Sequence, residues 1–442
     1  MKQNRWCLLF IFLLNSVSYS QFTSNYQQCE LSKNFIEKYK AQDFEGIYAM
    51  FDSTMKAQIP IPTLKQIQTQ LFSQVGEIDS IIMQNCTTQG EYITCINTVH
   101  FEKGDLNFLL SYNKENQVAG FYIQPVMHKS NYTLPEYADT TKFERKSLKF
   151  GKKFPLDAEL TLPTGKKDVP CIIFVHGSGP NDMDETIYDN KPFKDLAYGL
   201  SSNGIATFRY NKRTNQYSKE LSKSMDTMTL NSEVLEDVVL AYKFVAKQKG
   251  INSSRIYILG HSLGGYVIPK IAELLPKAAG FIILAGSARP LEDLLIDQTQ
   301  YISELPNSQI TQEQLKEIKE IIEKIKKEDF SFMKSPTDYP FAMPPAYWQY
   351  LHKYDHIKLA NQINQPVLVL QGERDFQVTM KDYEIWKSAF RNNKDAQFKT
   401  YPNLNHLFLE GTNKSTPDEY TKAGHIPIYV IEDIFNFINI NN

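Results

Sequence analysis

Apolar and polar positions follow two different patterns along this chain. From Ser147 onward, short apolar runs alternate with longer helical stretches. The runs fall at Ser147–Gly151, Ala158–Leu162, Cys171–Val175, Ala206–Tyr210, Arg255–Leu259, Phe281–Leu284, Pro366–Leu370 and Gln397–Tyr401. Several are continuous, as from Ile256 to Leu259 and from Val367 to Leu370, which is how strands buried on both faces read. Helical stretches lie between them at Phe193–Asn203, Asn231–Gln248 and Leu263–Leu275. The alternation predicts an α/β fold with a mostly parallel, doubly wound sheet. Earlier in the chain the order is different. Leu31, Phe35 and Tyr39, then Leu64, Ile67 and Leu71, recur at helical spacing. Strand-like runs follow at Ile78–Met83, Glu91–Phe101, Leu106–Tyr112 and Val118–Ile123, separated by turn residues. Helices first and an antiparallel meander after predict a small α+β domain at 21–125. Residues 126–141, polar with Pro135 and without periodicity, read as a linker to a larger domain at 142–442.

One segment breaks the alternation. Between Ala285 and Gln365 the chain is rich in helix formers, and Thr311 to Gln314 form a capping box ahead of an apolar stripe of Leu315, Ile318, Ile321, Ile322 and Ile325. An ordinary amphipathic helix would read the same way. The position at a strand's carboxyl end favours a helical cap over a ligand site, at about residues 291–363. Tyr347, Trp348 and Tyr350 within it are candidates for pocket or core.

Composition narrows the partners. Lys plus Arg is 48 and Asp plus Glu is 50, so the net charge is −2. That balance argues against nucleic acid as the main partner and against a polybasic membrane surface. At the N-terminus, Lys2 and Arg5 precede an apolar stretch from Trp6 to Leu14, with Ser18 and Ser20 beyond it. This is the layout of a secretory signal peptide at 1–20, and it predicts an exported (secreted or periplasmic) chain with no membrane span once processed. Cys29, Cys86, Cys95 and Cys171 would remain, an even number that permits disulfides. Oligomeric state has no signature in the sequence.

The chemistry concentrates in three places. Gly260-His261-Ser262-Leu263-Gly264-Gly265 carries the G-x-S-x-G core of a nucleophile elbow, with a buried strand before it and an apolar-faced helix after. That context makes Ser262 the candidate nucleophile. Strand Cys171–Val175 runs into His176-Gly177-Ser178-Gly179-Pro180, where a loop can supply one oxyanion donor. The backbone N–H groups of Ser178 and Leu263 are the candidate oxyanion hole, each such donor contributing roughly 3 kcal/mol of transition-state stabilisation. A plain Gly-rich turn is the alternative for 176–180, and His176 reads as a brace for it. The acid and base should follow in the order Ser, Asp or Glu, His. Asp375, a few residues past strand Pro366–Leu370, is the candidate acid with Glu373 as rival; His406, past Gln397–Tyr401, is the candidate base ahead of His425. His261 reads as structural. There is no zinc-type spacing of Cys and His and no phosphate-binding G-x-x-x-x-G-K-[ST] loop, so no metal or cofactor is expected.

These residues carry a resemblance. With Asn190-Lys191-Pro192-Phe193, Phe208-Arg209-Tyr210-Asn211-Lys212-Arg213-Thr214 and Gly372-Glu373-Arg374-Asp375, the chain resembles serine carboxylesterases of the α/β-hydrolase superfamily that carry a small N-terminal domain. Asn211 stands where that pattern leads one to expect an acidic residue. The resemblance implies the α/β-hydrolase fold, a Ser-His-Asp triad and a small-molecule ester substrate. The order of elements in the N-terminal domain resembles cystatin-like or nuclear-transport-factor-like domains. Alternatives are a serine peptidase or thioesterase of the same superfamily and, less favoured because all three triad members are present, a non-catalytic binding module. A last expectation concerns Cys86 and Cys95. If Gly90-Glu91 is a two-residue turn with Gly first, the register sets Cys86 opposite Cys95 as a non-hydrogen-bonded pair about 4.5 Å apart at Cα, close enough to bridge.

Overall fold

The computed structural model describes residues 27–126, 131–306, 308, 310–335 and 338–441. The signal sequence expected at 1–20 lies outside them. The chain divides between Lys129 and Ser130 into two units.

The first unit opens with a helix at 27–40 and continues with helices Phe44–Met50, Ser53–Gln58 and Ile61–Val75. The two short middle helices escape a periodicity reading because each is barely two turns long. Each is started by a side chain instead: Asp43 accepts from the Gly46 N–H and Asp52 from the Met55 N–H, taking up donors a helix start leaves unpaired. Four antiparallel strands follow in chain order, β1 (Ile78–Gln89), β2 (Tyr92–Phe101), β3 (Gly104–Tyr112) and β4 (Val118–Pro125). Phe35, Tyr39, Phe51, Phe101, Phe108 and Leu110 form its core. Gly90 has φ +64, and the strands leave the turn with Gln89 opposite Tyr92 and Cys86 opposite Cys95. The two cysteines are disulfide-bonded, with Cα atoms 4.0 Å apart.

In the second unit, eight strands form one sheet: β5 (Phe143–Phe150), β6 (Leu156–Pro163), β7 (Val169–Val175), β8 (Ala206–Tyr210), β9 (Ile251–His261), β10 (Gly280–Leu284), β11 (Val367–Gly372) and β12 (Ala396–Tyr401). Their order is β12-β11-β10-β9-β7-β8-β6-β5. Only β6 runs against its neighbours; the other pairings are parallel. Alternate residues of the central strands feed two separate cores. Ile173, Ile258, Ile283 and Val369 pack on one face, and Ile172, Leu259, Ile282 and Leu370 on the other. This two-sided burial explains the continuous apolar runs, each such side chain contributing about 1.5–3 kcal/mol relative to exposure.

Two sequence expectations need correction. Residues 131–141 are not a linker but part of the second unit: Tyr132 donates to Asp195 at 2.6 Å and Tyr137 to the Ile426 carbonyl at 2.6 Å. The helix expected over Leu263–Leu275 is two pieces, Leu263–Tyr266 and Ile268–Leu274. Pro269 cannot donate to the Gly265 carbonyl and its ring crowds that oxygen, which breaks the helix there. Among the described residues no helix is long and apolar enough to cross a membrane.

Candidate active site

Parallel strands bring their carboxyl ends to one edge of the sheet, and the four loops that matter all leave from that edge. β9 ends at His261 and the chain turns sharply at Ser262, which has φ +53 and ψ −115, a conformation that L-residues adopt only under constraint. The constraint is visible. The Ser262 N–H donates to the Leu284 carbonyl at 3.0 Å, stapling the turn to β10, and the Tyr266 N–H closes the next helical turn on the Ser262 carbonyl at 3.0 Å. A Cβ at Gly264 would stand 2.1 Å from the Val175 carbonyl oxygen, so any side chain there would push the elbow off β7.

Past β11, Asp375 is 2% exposed and past β12 His406 is 4% exposed. His406 Nδ1 lies 2.6 Å from Asp375 Oδ2, which also accepts from Gln371 Nε2 at 3.2 Å. Asp375 Oδ1 accepts the N–H groups of Gln377 at 2.7 Å and Val378 at 3.0 Å. A carboxylate held by so many donors is fixed in place. Glu373, the rival, is exposed and takes the Thr400 hydroxyl at 2.7 Å instead. His425 belongs to a different cluster, 3.2 Å from Asp195 and packed edge-on to Tyr132. The His406 loop is held by Asn405, whose Oδ1 accepts the Leu407 N–H at 3.0 Å and the Leu409 N–H at 3.1 Å.

Ser262, His406, Ser178 and Leu263 line one cavity of about 540 Å³, within the usual size for a small-ligand site. No hydrogen bond joins the Ser262 hydroxyl to His406 among the described residues; such bonds commonly tighten only around substrate. Leu263 is the first residue of its helix, so its N–H has no intrahelical acceptor. The loop carrying Ser178 is held from behind. Lys212, 2% exposed, donates to the carbonyls of Gly177 at 2.9 Å and Gly179 at 3.0 Å, and Asn181 to the Ser178 carbonyl at 3.0 Å. Glu233 neutralises Lys212 and accepts from the Tyr347 hydroxyl at 2.6 Å. Glu233 sits in a π-helical turn at Asn231–Leu235, a local widening that occurs preferentially at functional sites. His176 is buried between Phe193 and Tyr210, and burial pushes its pKa down to about 4 despite the attraction of Glu185, so it stays neutral and serves as packing.

Sequence reasoning named Lys212 only as part of the Phe208–Thr214 motif, without a role, and missed Glu233 altogether. The available signal was a run of polar and charged residues, Asn211-Lys212-Arg213, directly past the carboxyl end of buried β8. The cavity wall also differs from expectation. The insertion does contribute, through Leu291, Leu294 and Leu295 of helix Leu291–Ser303 and through Phe341, Met343 and Tyr347. The capped helix Gln312–Lys326 contributes nothing to the wall; its Lys326 pairs with Asp293 at 2.7 Å and its Lys319 with Gln300 at 2.7 Å, so it stands one layer behind. A second wall, Thr214, Leu221, Met225 and Met228, comes from the segment after β8 and had no periodic signal. Of the three aromatics, Tyr347 lines the cavity, Trp348 is fully buried core and Tyr350 packs on the core. Among the described residues the one cluster of ligand atoms compact enough for a metal ion is Cys29, Cys86 and Cys95, in the first unit, and two of these are joined as the disulfide.

A doubly wound sheet with a strained serine turn at β9 and a carboxylate–imidazole pair past β11 and β12 defines a serine hydrolase of the α/β-hydrolase class. The family described as "Serine aminopeptidase, S33" matches residues 187–413, and a family described as "Protein of unknown function (DUF3887)" matches residues 32–121. Esterase EstD of Thermotoga maritima is 36% identical over 400 residues, 90% of this chain and 92% of that protein. The chain belongs to this family of esterases. Acylamino-acid-releasing enzyme 1 of Oryza sativa subsp. japonica is 28% identical over 145 residues, which is 33% of this chain and 17% of that enzyme. Among solved structures, Est1E from Butyrivibrio proteoclasticus matches with a TM-score of 0.43 at 15% identity, over 67% of this chain and 98% of its own.

Proposed function

We propose that this carboxylic ester hydrolase works through a Ser262–His406–Asp375 triad and an acyl-enzyme, on esters whose acyl group is uncharged and apolar. The observation that carries the reading is the 2.6 Å Asp375–His406 pair converging with strained Ser262 on one cavity. With Nδ1–H donated to Asp375, His406 presents Nε2 as the free base that takes the Ser262 proton as Oγ attacks the ester carbonyl. The charge that develops on the carbonyl oxygen is met by the N–H groups of Ser178 and Leu263. The protonated His406 then gives its proton to the leaving alcohol, and the same base activates the water that releases the acid.

The walls support the substrate class. Leu221, Met225, Met228, Leu294, Phe341 and Met343 are apolar. An aminopeptidase needs a carboxylate free to hold the substrate's ammonium group. The acidic residues on this wall, Glu185 and Glu233, are already committed to His261 and to Lys212 and Tyr347. Export from the cell, suggested by the N-terminal layout, completes the proposal. The test is twofold. Fluorophosphonate should label the wild type and not Ser262→Ala. A panel of p-nitrophenyl esters should be turned over far faster than aminoacyl-anilides; preference for the anilides would make the chain a peptidase.

A further inference from the structure

A second carboxylate–imidazole pair lies behind the first, and the mechanism above does not use it. Glu185 is 2% exposed and His261, the residue before the nucleophile, is 4% exposed. His261 Nδ1 lies 2.8 Å from Glu185 Oε2, while His261 Nε2 lies 2.9 Å from the backbone carbonyl of His406. The other oxygen of Glu185 accepts the Gly177 N–H at 2.6 Å. One chain of contacts therefore runs from the loop that carries Ser178, through Glu185 and His261, to the loop that carries the base.

His261 Nε2 donates to the His406 carbonyl, and Nδ1 lies within ion-pair distance of the Glu185 carboxylate although not in hydrogen-bond geometry with it, an arrangement that favours an imidazolium facing a carboxylate. Burial alone would strip the proton from His261, but Glu185 outweighs it and the imidazole's pKa is raised; burial likewise favours neutral Glu185, and His261 with the Gly177 N–H holds its pKa low instead. The ionisable groups around the pair are His406, whose ring centroid is 4.8 Å from that of His261, Asp375 and His176.

Two further observations show that the chain is built around this pair. Glu185 has φ +52, a left-handed conformation a glutamate adopts only when its surroundings hold it there; the Asp182 carboxylate does so, accepting the N–H groups of Asp184 at 3.1 Å and Thr186 at 2.9 Å on either side. A Cβ at Gly177 would stand 3.0 Å from Glu185 Oε1 and 3.1 Å from the Ser262 Cβ, so the oxyanion loop passes tightly between the carboxylate and the nucleophile.

We propose that Glu185 and His261 are positioning residues, an ion pair that holds the oxyanion loop, the nucleophile's turn and the base's loop in one frame. The proposal rests on the triad reading given above. Because acyl transfer is sensitive to misplacement of the reacting groups by about 1 Å, loosening this frame costs turnover rather than affinity.

The test compares Glu185→Ala, Glu185→Gln and His261→Ala with wild type on one p-nitrophenyl ester, with Ser262→Ala as reference. The alanine variants should lose about 10- to 100-fold in kcat with KM changed less than about threefold. Glu185→Gln should recover to within about fivefold of wild type, since the amide oxygen still accepts from Gly177 and its NH₂ can donate to a neutral His261. Imidazole ¹⁵N shifts at pH 7 supply a readout that a purely structural role would not produce: two protonated ring nitrogens on His261 in the wild type and one in Glu185→Gln. A single ring proton on wild-type His261 overturns the proposal even if the alanine variants fail to fold. Unchanged kcat in folded alanine variants, or a Gln variant no better than Ala, also overturns it. Should Ser262→Ala itself remain active, the triad reading fails instead.

Discussion

The floor and the roof of the cavity are built by different means. The floor consists of loops leaving four parallel strands, and its working groups are fixed by short, buried hydrogen bonds: Asp375 by Gln371, Gln377 and Val378, the Gly177 loop by Lys212 and Glu185. The roof consists of the insertion at Leu291–Ser303 and 341–347 together with the segment after β8, and it meets the cavity mainly through methionine, leucine and phenylalanine. Such contacts have little directionality and tolerate substitution. The difference assigns chemistry to the floor and selectivity to the roof.

Substitutions can break that division. On the floor, Ser262→Ala, His406→Ala and Asp375→Asn should each reduce kcat by about 10⁴-fold or more with KM little changed, and the losses should not add. Glu373→Gln should leave kcat within about twofold; if it cripples the enzyme while Asp375→Asn does not, the acid has been misassigned. Lys212→Met removes the brace behind Ser178 without touching substrate, and kcat should fall about 10- to 100-fold, part of what losing an oxyanion donor outright costs. Roof substitutions should act otherwise. Phe341→Ala or Met225→Ala should alter kcat/KM for long acyl chains about tenfold and leave acetate esters nearly unchanged, measured across an acyl-length series. Equal effects on every chain length would erase the distinction.

The smallest effects on hydrolysis belong to a conservative change in the positioning pair and to the disulfide of the first unit. Glu185→Gln should lower the melting temperature, and the deficit should depend on pH. The raised pKa of His261 contributes stability present below its ordinary value of 6.5 and lost as pH rises through the folded value. The lowered pKa of Glu185 contributes stability present above its ordinary value of 4.5 and lost as pH falls through the folded value. The deficit should therefore be greatest between those two ordinary values and shrink on either side, as thermal denaturation against pH would show. Replacing both Cys86 and Cys95 by serine should destabilise the first unit by about 2–3 kcal/mol and leave kcat unchanged, since the described residues that line the cavity belong to the second unit.

How legible each part was follows from how local its signal is. The elbow at Ser262 needs only a strand, a tight turn and a helix in succession, and those six residues carry it. Asp375 and His406 could be found because strand ends and chain order together leave few choices. The disulfide followed from one turn, because Gly90 fixes every pairing outward to Cys86 and Cys95. Lys212 and the Glu185–His261 pair were not legible in this way. Their partners lie 35, 33 and 145 positions away along the chain, and a charge destined for burial looks the same in sequence as one destined for solvent. The capped helix at Gln312–Lys326 misled for the converse reason: its amphipathic stripe shows that one face is buried but not against what.

A pre-steady-state burst with a p-nitrophenyl ester, followed by acid quench and peptide mass analysis, tests the triad most directly. One nitrophenol per active site should be released in the burst, where deacylation is the slower step, and an acyl adduct should sit on the peptide bearing Ser262 and be absent in Ser262→Ala. An adduct on another residue, or full hydrolysis by Ser262→Ala, would contradict it.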